Sequence, residues 1–191
     1  ADEVDKTPGD LVVVLHQMGN HGPAYYQRYP ADYRRFTPTC DSSDLGQCNP
    51  QQVVNSYDNA LLYTDHVLAR TIAFLQQQSA HRDTAMIYVS DHGESLGEHG
   101  LYLHSLPYAI APDTQTHVPM VMWLSDDLRH RQHLTQDCLS RRARQPASHD
   151  NLFHTVLGLL DVKTSVYEPD MDLTHPCHSG HLAQGTPPAQ Q

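Results

Sequence analysis

The order of its apolar runs constrains this chain more than any other feature. Leu11 to Leu15 (LVVVL) is a continuous run rich in β-branched residues, the kind buried on both faces of a sheet. Thr84 to Val89 (TAMIYV) is a second run, and Val118 to Leu124 (VPMVMWL) a third, whose Pro119 marks a strand start or an edge. Between the first two, Asn49-Pro50 offers an N-cap followed by Pro at the first helical position, with Gln52 at the third. Val53, Tyr57, Leu61, Leu68, Ile72 and Leu75 then recur at helical spacing, up to a polar end at Gln76, Gln77 and Gln78. Strand, long helix and strand make a βαβ unit, which predicts parallel neighbouring strands joined by a right-handed crossover. The expected class is α/β, a mostly parallel sheet sandwiched by helices. Residues 126–147, polar and basic, read as an exposed connection or a short helix, and Asp150 to Leu160 as a further helix.

The 191 residues suit one domain or a large part of one. A net charge of −10 argues against nucleic acid as a partner, because phosphate neutralisation needs clustered Lys and Arg. Apolar residues at 39% and charged residues at 18% suit a packed core. The longest apolar run has five residues against the roughly 20 that a membrane-spanning helix needs. The first ten residues are acidic and lack the basic start and apolar centre of a signal peptide. With no initiator Met, the chain reads as a piece of something longer. Residues 180–191, rich in Pro and Gln, read as a disordered tail behind a folded part at 1–179. Cys40 and Cys48 lie eight positions apart in CDSSDLGQC, where a disulfide would close a short loop and would point to an oxidising compartment. Two free thiols are the alternative. Cys138 and Cys177 have no partner that spacing can assign.

The ligand edge of such a sheet lies at the carboxyl ends of its strands. After the first run come His16, Asn20 and His21; after the second come Asp91, His92 and Glu94. Asp91 and His92 are adjacent, so a regular strand would point them to opposite faces, but where the strand breaks at Gly93 both can turn towards one ion. Carboxylate with imidazole suits Zn²⁺ or Mn²⁺ better than Ca²⁺. The alternative is an Asp N-cap beside a solvated His. His21 stands in GNHGP and His104 in YLHSLPY, where each is either a metal or phosphoryl ligand or a surface histidine. Tyr25, Tyr26, Tyr29 and Tyr33 either line a substrate groove or pack a long loop.

HQMGNHGPAYYQRYP, the helix over 55–75, YVSDHGESLGEHGLYLHSLPYAIAP, HVPMVMWLS and HDNLFHTVLGLLDV together resemble the lipid A phosphoethanolamine transferases, which include the mobile colistin-resistance enzymes. These belong to the alkaline-phosphatase/sulfatase superfamily, and the resemblance runs from Leu11 to Cys177. It implies an alkaline-phosphatase/sulfatase-like α/β fold, of which residues 1–179 form the C-terminal part of the catalytic domain. It implies an inner-membrane enzyme with its catalytic domain in the periplasm, moving phosphoethanolamine from phosphatidylethanolamine to lipid A and conferring polymyxin resistance. In the family a Thr nucleophile, a Glu, an Asp and a His hold one zinc; the Asp and His match Asp91 and His92. His21 and His104 match two histidines tied to substrate phosphate or a second zinc, Glu94 matches a pocket carboxylate, and Cys40 and Cys48 match a family disulfide. The nucleophilic Thr and the ligand Glu match nothing in this chain, nor do the membrane helices. The chain alone is therefore expected to be inactive, to reach the membrane only through an N-terminal domain it lacks, and to be monomeric.

Two other readings compete. Asp-His-Gly-x-x-x-Gly-x-His-Gly also resembles sulfatases, which use a formylglycine in a C-x-P-S-R context; the one C-x-P here, Cys48-Asn49-Pro50, continues into Gln51 and Gln52. A catalytically incomplete zinc-binding domain is the other.

Overall fold

The computed structural model describes residue 4 and residues 6–178. The tail expected at 180–191 lies outside these residues. The elements are helix α1 (Pro50–Gln78), strands β1 (Ala85–Val89), β2 (Ser95–Leu96) and β3 (Tyr102–Leu103), helix α2 (Asp113–Thr116), strand β4 (Met120–Leu124), and helices α3 (Asp126–Arg131), α4 (Gln136–Arg142) and α5 (Asp150–Leu159). They fall into two compact units, Ala1–Leu68 with Glu94–Thr116, and Ala69–Gly93 with His117–Gln191. Among the described residues no helix is long and apolar enough to cross a membrane.

The first unit is organised by the start of α1. Asn49 Oδ1 accepts from the Gln52 N–H at 3.0 Å, and Gln52 Oε1 accepts from the Asn49 N–H at 2.9 Å, the reciprocal cap that the sequence predicts. Beyond the cap, the helix buries a polar face. Asn55 Nδ2 donates to the Pro38 carbonyl at 2.8 Å, and Ser56 Oγ accepts from the Cys40 N–H at 2.8 Å. Asn59, fully buried, accepts from the N–H groups of Arg35 (2.7 Å) and Phe36 (2.9 Å) and donates to the Phe36 carbonyl (2.9 Å). The loop before the helix thus has its backbone satisfied by helix side chains, which is what lets an irregular segment be buried. Asn59→Ala strands two backbone donors and one acceptor, so we expect a loss of about 3 kcal/mol, read from urea unfolding. Below this loop Tyr25, Cys40, Leu45 and Val53 form an apolar cluster, and Cys40 is bonded to Cys48.

In the second unit β1 and β4 pair antiparallel, from Ala85 opposite Leu124 to Val89 opposite Met120. Ile87 and Met122 pack against a core of Leu124, Leu128, Leu134, Cys138, Leu159 and Cys177. Ser125 caps α3, its Oγ accepting from the Leu128 N–H. The segment read as a basic connection contains the two short helices α3 and α4. Cys138 and Cys177 form the second disulfide. Helix α5 grips the segment after it: Asn151 Nδ2 donates to the Met171 carbonyl (2.8 Å), and the buried Thr155 Oγ1 accepts from the Leu173 N–H (3.0 Å). Between them Asp172, buried against Gly158, accepts from the Thr174 N–H (2.7 Å), the Thr174 hydroxyl (2.8 Å) and the Tyr167 hydroxyl (2.7 Å).

Two sequence expectations need correction. Leu11 to Leu15 is not a strand; its side chains stand 39% to 86% exposed, and no strand of the described residues pairs with it. A β-branched run becomes a strand only where neighbouring strands take up its backbone N–H and C=O groups. The parallel βαβ pairing is likewise not seen: both sheets of the described residues are two-stranded and antiparallel, β1 with β4 and β2 with β3. An apolar run by itself identifies neither a buried strand nor that strand's neighbour.

Candidate active site

Strand β1 ends at Val89, and the chain is held for one more residue. The Ser90 N–H reaches the Pro119 carbonyl, His149 Nε2 donates to the Ser90 carbonyl at 2.8 Å, and Ser90 Oγ donates to the His92 carbonyl at 2.8 Å. Asp91 and His92 follow on this anchored turn. Asp91 Oδ2 lies 3.9 Å from His92 Nε2, so the two side chains do converge. His92 Nδ1 lies 3.0 Å from the Gly93 carbonyl. A carbonyl can only accept, so Nδ1 carries the proton and the lone pair is on Nε2. This is the arrangement found at metal-bound histidines, whose other nitrogen donates to a carbonyl or carboxylate. The donor set fits zinc.

The first unit gathers the other three expected residues. Asn20 is pinned to α1, its Nδ2 donating to the Tyr57 carbonyl (3.1 Å) and its Oδ1 accepting from the Thr64 hydroxyl (2.9 Å). That places His21, whose Nδ1 lies 2.7 Å from the Gly22 carbonyl, again leaving the lone pair on Nε2. Strands β2 and β3 form a hairpin in which Ser95 faces Leu103 and Leu96 faces Tyr102. This register sets the flanking Glu94 and His104 across from each other, and His104 Nδ1 lies 3.3 Å from Glu94 Oε1. The rings of His21 and His104 meet edge to face, centroids 4.9 Å apart.

Glu94 is 7% exposed, and a buried carboxylate needs donors on both oxygens. Oε1 accepts from the Gly22 N–H at 2.9 Å, and Oε2 accepts from the Tyr25 hydroxyl. Gly22 can come this close only because it has no side chain: a Cβ would lie 2.8 Å from the Tyr25 ring and 2.6 Å from Leu103 Cδ2.

A sulfatase family profile matches residues 1–162. The chain belongs to the sulfatase family. Phosphoethanolamine transferase EptA of Salmonella typhimurium is 49% identical over 177 residues, which are 92% of this chain and 32% of that protein. The integral membrane lipooligosaccharide phosphoethanolamine transferase A (EptA) from Neisseria meningitidis superposes with a TM-score of 0.89 at 44% identity, covering 93% of this chain and 33% of that one. The C-terminal periplasmic domain of EcEptC from Escherichia coli, in complex with zinc, superposes with a TM-score of 0.66 at 26% identity, covering 83% and 43%. The chain spans about a third of the length of the curated relatives it matches.

Within this sulfatase-family chain, Tyr25 is the site residue that the sequence did not single out. The tyrosine row of the sequence resolves as packing: Tyr25 lies against Tyr57, the Tyr29 hydroxyl meets Asn59 and Tyr33 lies against Tyr63. Tyr25 differs from the others in its hydroxyl, which is committed to a carboxylate. Burial, with the Glu94 hydrogen bond and charge added, pushes its phenol well above the ordinary tyrosine range. Burial and Asp172 push Tyr167 the same way. The folded chain therefore keeps protons that the unfolded chain releases near pH 10. Stability is full below that pH and falls as pH rises beyond it. Urea midpoints measured from pH 8.5 to 11 should fall less steeply for Tyr25→Phe than for the native chain.

Proposed function

We propose that this chain is part of an inner-membrane phosphoethanolamine transferase whose catalytic domain faces the periplasm. The reaction moves phosphoethanolamine from phosphatidylethanolamine to a phosphate of lipid A, and it confers colistin resistance. The observation that carries this reading is the imidazole pair His21 and His104 beside the buried carboxylate of Glu94, a pocket suited to a phosphoryl group. The named relatives support the transferase over a hydrolase, and the zinc complex of one of them supports the metal.

The reaction runs as two displacements. A threonine oxygen, on a segment outside the matched motifs, attacks the donor phosphorus; the bond to the diacylglycerol oxygen breaks, and diacylglycerol leaves with the proton. A lipid A phosphate oxygen then attacks the phosphorus of the phosphothreonine diester, and the threonine oxygen leaves and is reprotonated. Asp91 and His92 would be among the residues that hold a zinc ion, which when bound would supply charge neutralisation at a phosphoryl group and a lowered hydroxyl pKa. His21 and His104 bind the phosphoryl oxygens. A neutral ring accepts a proton at its lone-pair nitrogen, and an imidazolium donates to developing negative charge. We propose that the enzyme acts as a monomer.

Full-length protein purified in detergent, given phosphatidylethanolamine and lipid A, tests this by mass spectrometry of the acceptor. Lipid A heavier by one phosphoethanolamine group is the expected product. Cleavage of an aryl sulfate without any transfer would instead favour a sulfatase.

A further inference from the structure

The turn that carries Asp91 and His92 is held in part by a side chain fifty-nine positions away. Ser90 has an N–H, a hydroxyl and a carbonyl, and each is engaged: the N–H on the Pro119 carbonyl at 3.3 Å, the hydroxyl on the His92 carbonyl at 2.8 Å, and the carbonyl with His149 Nε2 at 2.8 Å. A carbonyl only accepts, so His149 is the donor in the last of these. His149 stands at the N-cap of α5, yet its side chain makes no capping bond there, and the Asn151 side chain accepts from the Ser148 N–H instead, at 2.8 Å. The residue is exposed and belongs to neither apolar cluster. Its ring is therefore spent on Ser90. The platform behind it is firm, because Thr155 and Leue159 are buried and Asn151 and Thr155 bind the main chain of Met171 and Leu173.

We propose that His149 is a positioning residue, which clamps the Ser90 carbonyl and so keeps Asp91 and His92 turned towards one metal ion. This rests on the metal reading above and deepens it. Adjacent residues face the same ion only while the main chain between them departs from a strand's course, which alternates its side chains. The Ser90 carbonyl lies in the rigid peptide plane that ends at the Asp91 Cα, so a donor on that oxygen fixes the rotation of the plane and with it the direction in which Asp91 leaves the chain. Ser90 Oγ holds the carbonyl on the far side of the pair, that of His92. The two residues are thus bracketed by two held carbonyls, one of them tied to α5.

Two variants test this. His149→Leu removes the donor, and His149→Gln returns an amide N–H to about the place of the imidazole Nε2. In the metal-free 191-residue chain, hydrogen exchange at the Ser90 amide should quicken about tenfold in His149→Leu and stay near the native rate in His149→Gln, with urea midpoints close to native in both. In the full-length protein, competition with a chelator should show zinc held about tenfold more weakly in His149→Leu and within about twofold of native in His149→Gln, the size of effect that outer partners commonly have. If the leucine variant does not fold, His149→Ala takes its place. Unchanged exchange at Ser90 in the leucine variant overturns the proposal, as does a glutamine variant that behaves like the leucine one. So does native zinc affinity in His149→Leu where His92→Ala loses the metal. If exchange at Ser90 follows the donor but neither His149→Leu nor His92→Ala alters bound zinc, the hold of His149 on the turn stands and the metal reading of Asp91 and His92 fails.

Discussion

Replacing His92 by alanine is expected to lower phosphoethanolamine transfer by the full-length protein about a thousandfold, because the charge stabilisation lost at the phosphoryl group amounts to several kcal/mol. Bound zinc should fall in parallel, measured by metal analysis of the same sample. His92 is a good target because its ring is set by local contacts, Nδ1 on the Gly93 carbonyl and the backbone on Ser90. It is half-buried and lies in neither apolar cluster, so its removal should leave unfolding unchanged. Full transfer and a full complement of zinc in His92→Ala would remove Asp91 and His92 from the metal assignment. The comparison with Asp91→Asn is informative, since the amide keeps the shape of the side chain and removes only its charge.

The second large effect concerns stability. Gly158 lies in α5 with its Cα against the carboxylate of Asp172, and a Cβ there would stand 1.9 Å from Oδ2 and 2.9 Å from Cγ. No rotation of a methyl group avoids this. Gly158→Ala must expel Asp172 from its three hydrogen bonds, to the Thr174 N–H, the Thr174 hydroxyl and the Tyr167 hydroxyl. Overpacking commonly costs 1–3 kcal/mol, and a buried carboxylate that loses its donors costs as much again, so we expect a loss of about 4 kcal/mol. A lower urea midpoint would show it, together with earlier proteolysis after residue 160. A loss under about 1 kcal/mol would mean that Asp172 is not held as described.

Helices were the legible part of the sequence. Asn49, Pro50 and Gln52 announced the start of α1, because a cap is a local contract between neighbours, and the polar end at Gln78 announced its finish. Strands β1 and β4 were found to within a residue or two. The pairing was not, since hydrogen bonds across a sheet join residues far apart, and an apolar run looks the same whichever neighbour it has. Asp91 with His92, and His21 with Glu94 and His104, were picked out because metal and phosphoryl chemistry uses few residue types. Tyr25 was not, because its role comes from a single hydroxyl meeting Glu94, sixty-nine positions away. Asn55, Ser56 and Asn59 were also missed, since a helix is expected to bury apolar residues and this one buries amides and hydroxyls as well.

That polar face of α1 has a bearing on how the protein can drift over generations. Towards residues 35–40, Asn55, Ser56 and Asn59 hydrogen-bond the main chain. Main-chain groups are common to every amino acid except at proline's missing N–H. Apart from Cys40, held in its disulfide and in the apolar cluster, the loop is therefore free to exchange its letters while keeping its course, and the three helix positions are not. Variation among descendants should be concentrated on the side that is gripped and nearly absent from the side that grips, the reverse of an ordinary apolar interface, where both partners must change together.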